Sequence, residues 1–290
     1  MTRWRANSKL TLSLRVLSRR ADGFHELDAL VVSVTEPHDQ LTVTAGQRRD
    51  RVELVLTGPA AQGVTPGGDN LVVRAARMML DRARDAHRAY GVRIELDKHI
   101  PAEAGLGGGS ADAAAALHAL DRLLDLDLST FELATLGADL GSDVPFCVHG
   151  GAASMRGRGE TVERTDVPAL HVVVAVPPFA LATPRVFRAW DALGGPRSER
   201  VVTVDGVGDL VNDLEPAAED VEPRLRGFRE ALEVATGAPT VLAGSGSACA
   251  SLFQDAAAAA AAVARVAESG IARLTVAGST ASSGVERLDA

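Results

Sequence analysis

Apolar residues alternate with polar ones, or gather in short β-branched runs, at residues 27–34, 41–44, 52–57 and 92–97. This predicts strands, three of them ahead of the first long helical pattern. Leu10-Thr11-Leu12-Ser13-Leu14 alternates in the same way and predicts a strand beside Lys9. Leu71, Ala75, Met78 and Met79 fall on one helical face, with Asp69 placed to cap that helix and Gly91 to end it. Ser110 is the expected cap of a second helix through Ala113 to Leu124, and Ser129 that of a third. After about residue 165 the pattern restarts. A strand at 170–176, a Pro177-Pro178 break, helices near 184–193 and 217–235, and a strand near 240 follow. The loop GSGSA, an alanine-rich helix from Asp255 to Glu268 and a strand at 273–277 complete the series. The expectation is an α+β chain of two domains, 1–165 and 166–290, whose last strand can return to the first domain.

Composition narrows the function. At 290 residues and 46% hydrophobic, the chain can bury one large core or two ordinary ones. No apolar run reaches the roughly 18 residues that a membrane helix requires, and the first ten residues lack the apolar stretch of a signal peptide. The cytoplasm is the expected location. Cys147 and Cys249 form no CxxC pair, so neither a disulfide framework nor a zinc site is indicated. A net charge of −8 argues against a nucleic-acid partner, and an anionic substrate then needs a local positive site. The clusters Arg48-Arg49-Asp50-Arg51 and Arg82 to Arg88 read as solvated surface.

The strongest chemical feature is the loop from Pro101 to Ala111, which follows a strand and opens a helix. It reads Pro101, Ala102, Glu103, Ala104, Gly105, Leu106, Gly107, Gly108, Gly109, Ser110, Ala111. Its glycines remove side chains where backbone must approach a ligand, and they let successive N–H groups turn inward. With a helix N-terminus behind them, those amides make a cradle for a polyphosphate. A Walker loop would end in GKS or GKT, which is absent here, and the acid that a dinucleotide loop sets about 20 residues on is not clearly placed. A kinase of a small alcohol also needs a base for the hydroxyl proton and a cation for the developing charge. Asp143, in an apolar and glycine-rich setting, and Lys9, with no other lysine before Lys98, are the candidates. A turn or cap carboxylate and an exposed edge-strand lysine are the alternative readings, and spacing alone does not bring the two together. Gly244, Ser245 and Gly246 form a second glycine segment that could close over phosphates, or else a plain tight turn.

The runs KLTLSLRVLSRRADGFHEL, PAEAGLGGGSADAA, LGSDVPFCVHGGAASMRGRGE and LAGSGSACASLF together resemble the GHMP kinase superfamily. RADGFHEL and SDVPF resemble in particular those members that act on a cytidylylated methylerythritol in the non-mevalonate route to isoprenoid precursors. The resemblance implies an N-terminal nucleotide-binding α+β domain, a C-terminal ferredoxin-like domain and an active site between them. ATP is then the co-substrate, accompanied by Mg²⁺, and the partner is a small molecule bearing a cytidine diphosphate group. The protein is expected as a monomer or homodimer. Asp143 becomes the base, and Lys9 the residue that orients the hydroxyl. Phe24 and Phe187 stack on the cytosine and His25 bonds its edge, with Thr11, Thr183, Gly244, Ser245 and Gly246 also on the substrate. Asn70 becomes an adenine-side contact, although a helix cap explains it nearly as well.

Departures from the family pattern bear on detail. Thr11 stands where the family usually has asparagine, Phe24 where it has tyrosine, Ala111 where a second serine is common, and Glu103 where a small residue is usual. An acid at 103 suits phosphates only if it points outward. Two other readings stay open: a kinase of the mevalonate or homoserine type, and a non-catalytic nucleotide-binding relative.

Overall fold

In the computed structural model the described residues are 1–46, 51–85 and 91–289. Two long antiparallel strands organise the chain, β1 (Thr2–Arg19) and β2 (His25–Gly46). The runs 27–34 and 41–44, read separately from sequence, are one strand. In the register Asn7 faces His38 but Ser8 faces Val34, so residues 35–37 bulge out of β2. A bulge of this kind bends its strand and re-aims it, and Pro37 has no amide to give the ladder. The C-terminal half of β2 pairs with β4 (Gly91–Asp97), beside which β3 (Val52–Thr57) runs parallel. The N-terminal half pairs with β5 (Ala152–Gly157), whose other neighbour is β6 (Thr161–Arg164).

The helices of this half pack behind that sheet. α1 (Leu71–Asp85) buries Val72, Ala75, Ala76 and Met79. Its first turn is capped by Asn70, whose side-chain oxygen accepts from the Val72 amide at 3.0 Å, and not by Asp69. Gly91 opens β4, and the stretch 86–90, over which the helix was expected to reach it, lies outside the described residues. α2 (Gly108–Leu124) is apolar around its girth, with Ala113 to Ala116 wholly buried, as befits a helix enclosed on all sides. It packs on β1, β2 and α1. Its first residue is Gly108, with Gly107 as cap, so Ser110 lies within the first turn and does not cap it. Ser129 does cap α3 (Thr130–Ala138), in a reciprocal box with Glu132. The short α4 (Val144–His149) follows. Arg51 and Arg82 are exposed as expected; Arg48, Arg49, Asp50 and Arg88 lie outside the described residues.

The remainder forms an antiparallel series in the order β10 (Thr240–Leu242), β11 (Cys249–Phe253), β7 (His171–Val176), β12 (Leu274–Ala281). α8 (Ala256–Ser269) covers β7, β11 and β12; Asp255 caps it by accepting from the Ala257 and Ala258 amides at 2.7 and 2.9 Å. α5 (Thr183–Ala192) follows the Pro-Pro break, and a small β8–β9 ribbon (Val202–Val204, Gly208–Leu210) stands apart. The helix expected over 217–235 is two, α6 (Glu215–Val221) and α7 (Arg224–Thr236), because Pro223 denies the first helix a continuing amide. β12 follows β7 through Ser279, then pairs Thr280 and Ala281 with β2. β13 (Val285–Arg287) ends on β1.

Candidate active site

A cleft of about 880 Å³ runs between the α2 N-terminus and α5, and most of the residues singled out from sequence line it. Its floor is backbone. The first amides of α2 have no intrahelical acceptor, since the ladder begins with Ala111 N–H donating to the Gly107 carbonyl at 2.9 Å. The loop ahead of them is held from two sides. The Lys9 amide donates to Leu106 O at 3.0 Å, and the Ala248 amide to Ala104 O at 3.0 Å. Gly105, at φ 78°, is where the two glycine segments touch: a Cβ there would lie 2.0 Å from Ala243 O. At Gly107, at φ 68°, a Cβ would lie 2.6 Å from Lys9 Cγ, so this glycine makes room for the lysine stem to cross the cradle.

Lys9 therefore reaches the middle of the cleft along a fixed track. Its Nζ lies 3.5 Å from Asp143 Oδ2 and donates to Thr11 Oγ1 at 3.1 Å. The lysine side chain is 12% exposed and the Asp143 side chain 37%, so the carboxylate is the more open member of the pair. Asp143 occupies the cap position of α4 but makes no side-chain cap bond, which removes the turn-carboxylate reading. Nor is Lys9 an exposed edge-strand lysine: β1 pairs it with Ser33 of β2, its amide donates to Leu106 O of the loop, and its side chain is largely buried. Thr11, the departure from asparagine, spends its oxygen on holding the ammonium.

The second glycine segment faces the same space. Asn212 donates from Nδ2 to Leu242 O at 2.9 Å and to Gly244 O at 2.7 Å, pinning that turn. Ser245 and Thr183 share a hydroxyl–hydroxyl bond of 2.8 Å at the cleft wall. Two expected residues lie elsewhere. Ala111 is wholly buried beneath the first turn of α2, and a Cβ on Gly246 would meet Leu181 and Leu242 at 3.0 Å, on the core side. Glu103 sits exposed at the rim, so the acid stays in water near any phosphate.

At the other end the cleft is walled by side chains. Phe24 is 52% exposed, with the Arg158 guanidinium 4.8 Å over its ring. Phe187 stacks on His25 at 4.7 Å between centroids. Each aromatic thus has one face covered by a neighbour.

Several residues of the site were not found from sequence. Lys98 donates to Asp39 Oδ2 at 2.5 Å and to Asp112 Oδ2 at 2.6 Å, all three side chains being buried beneath the cradle. Burial works against the Lys98 charge, but Asp112 and Asp39 outweigh it and hold its pKa above the usual value. Burial, reinforced by Asp39, pushes the Asp112 carboxyl well above the usual range. Asp39 also accepts from the His99 and Ile100 amides at 2.5 and 2.8 Å, so the triad fastens β2, the loop and α2 together. A signal was available: Lys9 and Lys98 are the only lysines in the chain, and both line the cleft. Asn212 had no such signal. Cys147 and Cys249 are buried free thiols; burial pushes both up, Cys249 to about 12.

Family models describing the GHMP kinases N terminal domain and the GHMP kinases C terminal match residues 70–151 and 203–272. A protein of Rhodopseudomonas palustris (strain BisB18) named 4-diphosphocytidyl-2-C-methyl-D-erythritol kinase is 38% identical over 275 residues, covering 89% of this chain and 88% of its own. One of Moorella thermoacetica with the same name is 39% identical over 256 residues, covering 83% and 86%. The crystal structure of a 4-(cytidine 5'-diphospho)-2C-methyl-D-erythritol kinase superposes with a TM-score of 0.74 at 32% identity, over 96% of this chain and 98% of that one. A homoserine kinase of Cytophaga hutchinsonii has a TM-score of 0.71 at 18% identity, covering 99% and 97%, and shares the fold.

Proposed function

The chain belongs to the GHMP kinases, and on that premise we propose that it transfers the terminal phosphoryl group of ATP to the 2-hydroxyl of 4-diphosphocytidyl-2-C-methyl-D-erythritol. The observation that carries the reading is the Lys9–Asp143 pair, 3.5 Å apart, standing between a backbone phosphate cradle and an aromatic pocket in one cleft. In this reading the polyphosphate lies along the first turn of α2 and Asn70 borders the adenine end. The cytosine enters between Phe24 and Phe187 beside His25, while Thr183, Gly244 and Ser245 border the diphosphate.

Asp143 accepts the proton of the 2-hydroxyl as that oxygen forms its bond to the γ-phosphorus. The bond from the γ-phosphorus to the bridging oxygen of ADP breaks, and ADP leaves with the electron pair. Lys9 steadies the negative charge between the two and holds the carboxylate in place. The Ser110 hydroxyl, a hard oxygen donor lining the cleft at the first turn of α2, would suit a Mg²⁺ ion carried in on the nucleotide, and Asp143 stays free to take the proton. When bound, that ion supplies neutralisation of phosphate charge.

The division at about residue 165, a nucleotide lobe before it and a second lobe after it, belongs to this proposal. So does the cytoplasm as the place of action; among the described residues no helix is long and apolar enough to cross a membrane.

The test is ADP release by the purified protein with Mg²⁺-ATP and each of three alcohols. Turnover with the cytidylylated methylerythritol alone is expected. Turnover with mevalonate or homoserine instead would leave a kinase with a different acceptor, and no turnover with any of them would reject the proposal.

A further inference from the structure

The side-chain end of the cleft holds a clamp that the transfer of phosphate does not require. α5 places Phe187, Trp190 and Asp191 at positions i, i+3 and i+4, which is one face of a helix. That face meets His25, the first residue of β2. The imidazole stacks on Phe187 at 4.7 Å, takes the edge of Trp190 at 5.4 Å, and is 8% exposed. Its Nε2 lies 2.8 Å from Asp191 Oδ1, and the other oxygen of Asp191 is 3.6 Å from Arg19 at the end of β1. Ring, tilt and position are therefore all set.

A carboxylate only accepts, so Nε2 carries the hydrogen and donates it to Asp191. In the neutral ring Nδ1 is then a bare acceptor, and since His25 lines the cleft, Nδ1 is the nitrogen left for a ligand. A 4-aminopyrimidine presents an N–H donor at its exocyclic position, whereas a 4-oxopyrimidine presents another acceptor. Two facing acceptors leave both unpaired, which a desolvated pocket penalises heavily.

We propose that Asp191 is a specificity-positioning residue, which fixes the His25 tautomer so that the pocket takes a cytidine diphosphate group and refuses a uridine diphosphate group. This rests on the cytidine reading above. Asp191 acts only through His25 and touches no reacting atom.

The test is titration calorimetry of the full chain with CDP and with UDP, using ATP affinity as the control for an intact fold. The wild type is expected to prefer CDP. Asp191→Ala should lose about tenfold of that preference with ATP affinity kept. His25→Ala should lose at least as much, and the double variant no more than His25→Ala alone. An Asp191→Ala protein that keeps the full preference, or losses that add in the double variant, would overturn the inference while leaving the cytidine reading intact. A wild type indifferent to the two nucleotides would overturn that reading and the inference with it. Nitrogen-15 shifts of His25 in the wild type give a check that needs no variant: hydrogen on Nε2 is expected, and hydrogen on Nδ1 with bare Nε2 would refute the proposal.

Discussion

The two ends of the cleft are built from different material. At the end proposed for the nucleotide the surface is backbone: the amides of the first turn of α2, with glycines at 105 and 107 that admit Ala243 O and the Lys9 stem where a methyl group would not fit. At the end proposed for the cytosine it is side chain: Phe24, His25 and Phe187, each braced by a neighbour. A backbone site is indifferent to most substitutions and intolerant of any added at its glycines. A side-chain site can be retuned one residue at a time without disturbing the fold.

Substitutions that should respect the division also test it. The largest effect is expected from Gly105→Val, whose side chain would collide with Ala243 O and drive the two glycine segments apart. A displacement of that kind costs about a hundredfold or more in kcat/KM for ATP, with CDP binding much less affected; nucleotide titrations read both. Next is Lys98→Met, which strands Asp39 and Asp112 as buried carboxylates beneath the cradle. Loss of one partner from a buried ion cluster costs about 3–5 kcal/mol, visible as a lowered denaturant midpoint. Phe24→Ala should raise KM for the cytidine substrate about tenfold, a typical loss for one base-stacking face. Because the ring is half exposed, the thermal midpoint and KM for ATP should stay put. The smallest effect is Thr11→Val, which deletes the hydroxyl that accepts from Lys9 at 3.1 Å. A several-fold fall in kcat is expected, the loss of one modest hydrogen bond.

The same contrast governs how much could be read before the structure. The cradle was legible because its chemistry is local: glycines in a short loop between strand and helix are themselves the signal. Even so, the helix was expected to begin at Ser110, since glycine is a poor helix former, whereas packing against β1 carries it back to Gly108. The acid–lysine pair was legible as two residues of the right chemistry, but only the fold brings positions 9 and 143 to 3.5 Å. The residues of the proposed base pocket come from family resemblance, and the structure places them in one cleft. The bracing of that pocket was not legible, because Asp191 meets His25 across 166 positions and no local pattern links them. Asn212 escaped for the same reason; Lys98 carried a signal as one of two lysines, but its partners Asp39 and Asp112 lie 59 and 14 positions away. The unread strands, β5, β6, β8, β9, β11 and β13, are short or built from small residues such as Ala152-Ala153-Ser154, which carry little β signal of their own. Conversely, β2 was read as two strands because its bulge at 35–37 interrupts the alternation.

The central claim is that Asp143 handles the proton for a transfer whose two substrates are bound elsewhere in the cleft. The most direct test is Asp143→Asn, assayed for ADP release with the cytidylylated substrate and, separately, for binding of ATP and CDP by calorimetry. The account predicts turnover lower by about 10²–10⁴ with both affinities within a few-fold of wild type. Turnover near the wild-type rate, with binding intact, would contradict it.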